Sequence, residues 1–242
     1  MLPPSLRARA RATALACLSL AAAAYAQDAP SPAPPSPETV ARLKERLSVQ
    51  HVLKPGNVLG FSYPFSDPAE LNDWQAKGLD VVDVREVQGG GGRKSFGLEL
   101  GAGSRGAGVA RHSIALDGTR DFELEFEVWA AHNSPSAIFC LLLSKKVGLA
   151  WGQTICKPKS LRPYNKRAAP DPTLFREERV VRIRVRWEDN VLTVTTNGRK
   201  TDTRSFKKGE LKSVRIGFLV RNARMVIESL TVEGTLDPKS LR

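Results

Sequence analysis

From residue 58 onward, apolar and polar side chains alternate along the chain with a period of two. The alternation is clearest at 122–128, where Phe122, Leu124, Phe126 and Val128 share one parity. Glu123, Glu125 and Glu127 share the other, and Trp129 continues it. Such segregation marks a strand with one face in a core and one in solvent. The pattern recurs where Val181, Ile183, Val185 and Trp187 alternate with Arg182, Arg184 and Arg186, and again where Phe96, Leu98 and Leu100 alternate with Ser95, Gly97 and Glu99. Residues 137–143 are instead a continuous apolar run, as in a strand buried on both faces. The stretch 147–151 pairs with that run or with the segment at Ile155. Further strands are expected at 58–65, 81–87, 109–116, 191–196, 214–220 and 225–233.

Turn residues separate these runs. Asp117-Gly118, Glu188-Asp189-Asn190 and Asn197-Gly198 each join two strands, and Asn-Gly is a strong two-residue hairpin signal. Arg221-Asn222-Ala223 reads as the turn of a last hairpin. Asp67-Pro68 caps a turn of helix that reaches Trp74. The Gly89-Gly90-Gly91-Gly92 stretch reads as a mobile connection. It is no phosphate loop, because Arg93 stands at the glycine position before Lys94 and no strand–loop–helix context follows. A second glycine-rich connection spans 101–108, and 157–172 is basic and irregular. Roughly ten to twelve short strands with almost no helix predict an all-β, two-sheet antiparallel sandwich of jelly-roll type over residues 56–242.

The segment before the sandwich reads differently. Ser36 offers an N-cap, Pro37 fits the first helical position, and Val40, Leu43 and Leu47 recur at helical spacing. This predicts one short amphipathic helix, within a linker at 27–55 that opens on the stiff tether QDAPSPAPPSP. Residues 1–26 carry Arg7, Arg9 and Arg11, then the apolar run 13–24, then Ala24-Tyr25-Ala26, the pattern of a cleaved export signal. That run is shorter than the roughly 20 residues a bilayer core needs, and no other stretch is apolar enough to span. The expected destination is the exterior or the periplasm and cell envelope. Ala14-Leu15-Ala16-Cys17 is a poor lipoprotein signal.

Loss of three arginines on cleavage lowers the formal charge from +12 to +9. The surplus favours acidic partners such as an anionic polysaccharide or envelope polymer, and export argues against nucleic acid. Cleavage leaves Cys140 and Cys156 in a compartment that permits disulfides. They flank one expected strand pair, so a bridge between them is expected. His51, His112 and His132 are scattered without zinc-ligand spacing. No dense carboxylate loop demands Ca²⁺, and no cofactor is indicated.

The series DFELEFEV at 121–128, VVRIRVRWEDNVLTVTTNGR at 180–199 and SVRIGFLVRNARMVIESLTVEG at 213–234 resembles the concanavalin A-like lectin/glucanase superfamily. It is most similar to exported bacterial laminin-G-like and keto-disaccharide-hydrolase-like domains. The resemblance covers about residues 56–236 and rests on strand order and hairpin signatures. It implies a jelly roll with a concave sheet, in a superfamily of sugar binders, glycosidases and adhesive modules, some of which use calcium. Fold alone selects none of these functions.

The sharpest candidate chemistry is Glu123-x-Glu125-x-Glu127. Alternate positions on one strand lie roughly 6.5 Å apart, and a retaining glycosidase needs two carboxyl groups about 5–5.5 Å apart. Trp129 on the same face would stack on a sugar ring. The glucanase pattern has Asp at the central position, where this chain has Glu125. The ladder also has an ordinary structural use, since Arg182, Arg184 and Arg186 on an adjacent strand would pair with it. A second candidate is the basic segment around Tyr164, in which Arg162 and Lys166 would hold an acidic glycan with Tyr164 as the stacking platform. As a plain surface loop, the same lysines and arginines maintain solubility. Trp151 and Trp187 share parity with aliphatic residues and belong to the core, and Trp74 covers a sheet end. Three functions stay open: a non-catalytic module binding carbohydrate or envelope polymer, a glycoside hydrolase using the glutamate face, and a structural or adhesive protein.

Overall fold

The computed structural model describes residues 32–88, 94–103, 106–175 and 179–241. The expected export signal and the glycine run at 89–92 therefore lie outside the described residues. Ser36 accepts a hydrogen bond from the Thr39 amide at 3.1 Å and opens helix α1 (Pro37–Arg46), with Pro37 in the first turn. Leu43 and Leu47 enter the main core, and Arg42 donates to the Leu241 carbonyl. The helix thus lies on the sandwich.

Sixteen strands follow among the described residues, and every pairing between them is antiparallel. The edge strand β1 (His51–Lys54), inside the segment read as linker, pairs with β2 (Val58–Tyr63). Asp67 and Glu70 form the capping box of a 3₁₀ turn at Pro68–Asp73, the Glu70 carboxylate accepting the amides of Phe65, Ser66 and Asp67. Next come β3 (Trp74–Lys77), β4 (Val81–Gln88), β5 (Lys94–Ala102), β6 (Gly108–His112) and the short β7 (Leu116–Asp117). After the long β8 (Phe122–Leu142) come β9 (Gly148–Ala150), β10 (Thr154–Lys157), β11 (Arg162–Pro163) and β12 (Val181–Glu188). The chain finishes with β13 (Val191–Thr196), β14 (Arg199–Ser205), β15 (Ser213–Val214) and β16 (Gly217–Thr235).

Two of these strands differ from the sequence expectation. The runs at 122–128 and 137–143 are one strand, β8, and the expected hairpin across Arg221-Asn222-Ala223 is an uninterrupted β16. A straight strand of 21 residues would span roughly 70 Å at about 3.3 Å per residue, far beyond the usual 17–20 Å. Both strands therefore bend, and they bend at the same place. Ile138 pairs with Arg221 and residue 133 with Ala223, so β8 spends residues 134–137 where β16 spends only Asn222. Asn222 adopts a left-handed backbone (φ 52°), which asparagine tolerates. A residue suited to a hairpin turn here makes a bulge instead.

The bend divides one continuous ladder into two layers. In the first, the C-terminal part of β16 and the N-terminal part of β8 are flanked by β2 and β1 on one side and by β12, β13 and β14 on the other. In the second, the remaining parts of the same two strands are flanked by β6 and β3, and by β9, β10 and β11. The β4–β5 hairpin attaches to β16 beside the bend. Between the layers, Phe126 meets Phe218 (ring centroids 5.6 Å) and Phe139 (6.5 Å). Trp151 and Trp187 are buried, as their parity required, and Trp74 is buried as well.

The layers are also joined by a buried polar network at one edge. Tyr63 on β2 donates to Asp73 Oδ2 at 2.5 Å, and the Ser48 amide and hydroxyl donate to the same carboxylate. With the phenol proton committed to Asp73, the 2.7 Å contact to His112 on β6 runs from Nε2–H to the Tyr63 oxygen. His112 Nδ1 then accepts the Ile114 amide. Burial and the bond to Asp73 push the Tyr63 phenol well above its usual range. Burial pulls His112 down to about 4 from 6.5. Neutral His112 is the form the fold stabilises, so this contribution is complete above pH 6.5 and is lost as pH falls toward 4. Denaturant titrations across that window should show roughly 3 kcal/mol of His112-dependent loss, at about 1.36 kcal/mol per pKa unit. An His112→Asn variant should lose that part of the slope. An unchanged slope would contradict the assignment.

Candidate functional site

The glutamate ladder and the arginine ladder lie on adjacent strands in direct register, with Arg182 opposite Glu127, Arg184 opposite Glu125 and Arg186 opposite Glu123. Arg182 binds Glu127 at 2.6 Å and Glu125 at 3.4 Å, while Arg184 reaches diagonally to Glu123 at 2.6 Å. Arg186 turns to Glu188. The face proposed for catalysis is thus a mesh of ion pairs. All three carboxylates are engaged by arginine, and none is held free beside another in an enclosed groove.

Trp129 has the parity expected of it but not the exposure. It pairs across the ladder with Val226 and is fully buried in a small cluster with Val226 and Val87, because the β4–β5 hairpin folds over this face at the bend. A stacking platform in solvent is therefore not present at Trp129. Tyr164 is likewise occupied: the Arg204 guanidinium sits 4.0 Å from its ring centroid, Phe206 meets its edge, and its hydroxyl donates to the Lys146 carbonyl. Arg162 and Lys166 are exposed beside it.

Cys140 and Cys156 are separate, buried thiols. They sit on β8 and β10, the two strands flanking β9. Two strand spacings put their backbones about 9.5 Å apart, beyond the roughly 7 Å that a disulfide spans. Gly148 on β9 leaves room for the Cys140 thiol, since a Cβ there would lie 3.1 Å from Cys140 Sγ. The hydrogen bond to Cys156, with burial, pushes the Cys140 thiol up, and the same bond pulls Cys156 down.

A cleft that the sequence reading did not identify opens at the bend. It encloses about 460 Å³ between β8, β16 and the adjoining ends of β4 and β5. Its polar lining comes from Asp80, His132, Ser134, Ser136, Asn222 and Arg224, with the backbone of 101–103 as one wall. Asn222 Nδ2 donates to Ser136 Oγ at 2.7 Å, and the Ser134 hydroxyl donates to the Asn222 carbonyl at 2.9 Å. Asn222 Oδ1 is buried and has no hydrogen-bond partner, an arrangement that costs roughly 1–3 kcal/mol when nothing donates to it. Asp80 accepts the Gly103 amide at 2.7 Å. The Arg224 charge is neutralised by Glu99, which is only 1% exposed and is also held by Arg85. The cleft therefore presents serine hydroxyls and an imidazole on a largely apolar lining, a combination suited to a sugar. Among the described residues Asp80 is the one carboxylate in its lining, without the second that a glycosidase pair requires. Among the described residues no group of three or more His, Cys, Asp or Glu side chains is placed to hold a metal ion, and no helix is long and apolar enough to cross a membrane.

Two outcomes follow from this geometry. Reversing Glu123 and Arg184 separately and then together should give a coupling energy below about 1 kcal/mol, as for half-exposed pairs. Zero coupling would mean that the ladder contributes nothing to stability. Alkylation of the unreduced protein in denaturant should add two labels by mass. A bridged, unlabelled pair would show that β9 can be displaced.

No protein-family model matches the chain, and no curated protein matches it in sequence. Solved structures do match in shape. A Bacillus subtilis protein of unknown function with a galectin-like fold aligns over 72% of this chain and 94% of its own, at 11% identity and a TM-score of 0.50. The Ca²⁺- and mannose-bound exoplasmic/lumenal domain of VIP36 aligns over 71% of this chain and 88% of its own, at 9% identity and a TM-score of 0.48. The Crh5 transglycosylase in complex with NAG covers 72% and 84%, at 9% identity and a TM-score of 0.47. At these identities the likeness concerns architecture only. The chain has the galectin-like sandwich fold, the architecture of the concanavalin A-like lectin/glucanase superfamily that its strand series resembles.

Proposed function

We propose that the chain is an exported, non-catalytic module that binds carbohydrate, free or within an envelope polymer, in the cleft at the bend. The observation that carries this reading is the cleft itself: about 460 Å³, lined by His132, Ser134, Ser136, Asn222 and Asp80, with Asn222 held between the two serines. The serine hydroxyls, the His132 imidazole and the Asn222 amide group are complementary to sugar hydroxyls. The N-terminal pattern of 1–26 supports export. The arginine mesh over Glu123, Glu125 and Glu127 supports a role without turnover.

A glycan-array screen of the exported chain tests this directly, with hydrolysis assayed on every hit. Asn222→Gly keeps the left-handed backbone and removes the amide. It should weaken binding about tenfold, the worth of one well-placed buried hydrogen bond, while thermal stability is retained. Glu125→Gln should leave binding unchanged, and no hit should be hydrolysed. Turnover that Glu125→Gln abolishes would establish the glycosidase reading instead. Undiminished binding by Asn222→Gly would move the site away from the bend.

A further inference from the structure

The basic segment that the sequence placed around Tyr164 gains a member from elsewhere in the chain. Arg204, at the end of the edge strand β14, stacks on Tyr164 (4.0 Å) and on Phe206 (4.9 Å), and Phe206 is anchored against the core residue Trp187. Two aromatic rings therefore fix a guanidinium that makes no ion pair among the described residues. Its Nε is buried without a hydrogen-bond partner. Lys157 lies 5.6 Å from the Tyr164 centroid, and the Tyr164–Lys146 hydrogen bond draws the turn carrying Lys146 to the same place. On the other side of Arg204, Lys207 and Lys208 border a shallow groove of about 720 Å³. The one carboxylate in that groove, Glu210, accepts the Lys207 amide. This distribution contrasts with the outer face of β12, where each arginine has a glutamate.

An aromatic-clamped guanidinium among lysines, none of them ion-paired among the described residues, is matched to oxyanions: the planar fork is pre-organised, and neighbouring charge adds attraction. We propose that the Tyr164–Arg204 platform, with Lys146, Lys157, Lys207 and Lys208, is a second binding site that takes the carboxylate or sulfate groups of an acidic polysaccharide. Tyr164 serves here as the support for Arg204, not as a platform for a sugar ring. The choice of a polysaccharide rests on the exported, carbohydrate-binding reading given above. The oxyanion chemistry stands on Arg204 itself.

The test is titration of the exported chain with polygalacturonate, heparin, neutral dextran and duplex DNA, at about 0.15 M and 0.3 M salt, where diffuse attraction is strongly screened. Polygalacturonate or heparin should bind, dextran should not bind at this site, and the tighter of the two acidic polymers identifies carboxylate or sulfate as the preferred group. Arg204→Gln should weaken that binding about tenfold, and Arg204→Lys should fail to restore it because the stacked plane is lost. If Arg204→Gln impairs folding, the doubly substituted Lys207→Gln/Lys208→Gln chain, altered only at exposed positions, should still bind several-fold more weakly by loss of local charge. Lys239→Gln, a cation outside the site, should leave acidic-polymer binding intact. Failure of the cleft reading shows instead in the Asn222→Gly measurement on neutral glycans. Equal losses from Lys239→Gln and Arg204→Gln, or duplex DNA binding as tightly as the acidic polysaccharides, would overturn the proposal.

Discussion

The constraint on which everything else depends is the shared bend of β8 and β16. Both strands are several times longer than a sandwich is tall, and each contributes to both layers. Folding the pair over itself brings Phe126 onto Phe139 and Phe218, so one ladder supplies both walls of the core. The remaining strands attach to the two free sides of that ladder. Mismatched residue numbers accommodate the bend, with 134–137 on one strand against Asn222 on the other. The local ladder bonds forfeited there leave polar groups facing a cleft. The same distortion that closes the sandwich thus creates a concavity lined by polar side chains.

Polar groups then lock edges that hydrophobic contacts alone leave loose. On one side, Asp73 gathers Ser48, Tyr63 and, through the phenol, His112, linking helix end, first layer and second layer through a single carboxylate. On the other, Asp202 of β14 accepts the Ile155 amide of β10, and Thr201 donates to the Gln153 carbonyl. Strands of opposite layers are therefore tied by directional bonds, each of which leaves a costly orphan if cut. Glu99 does similar work at the bend, where two arginines compensate a carboxylate that the β4–β5 hairpin would otherwise bury alone.

Much of this fold was legible in the residues. Alternation assigned the faces of Phe122–Val128 and Val181–Trp187 correctly because a period of two leaves no freedom once one face is buried. The Ser36 cap and the Asp67 turn were legible because their signals are local. The reading failed where local chemistry has two uses. Asn222 with its neighbours has the composition of a hairpin turn, and a left-handed asparagine serves a bulge equally well. Parity placed Trp129 beside the glutamates but carried no information about the hairpin that covers it. The cleft joins residue 80, residues 132–136 and residue 222, and Arg204 meets Tyr164 from 40 positions away. No pattern along the chain announces such meetings. The cysteines failed for a related reason: proximity to one strand pair suggested a bridge, whereas their placement on either side of β9 sets the distance.

The bent ladder also orders events before the native state exists. Phe122 finds its partner at Gly234 and Leu142 at Gly217, so no residue of β8 reaches β16 until β9 to β15 have been threaded between them. Contacts this distant in sequence form slowly, since the loop must close before the contact rewards it. During synthesis the central wall of the sandwich is withheld until β16 has emerged. Until then Phe122, Leu124 and Phe126 of β8 have no ladder partner on their β16 side, so late closure lengthens the time for which the unfinished core stays open.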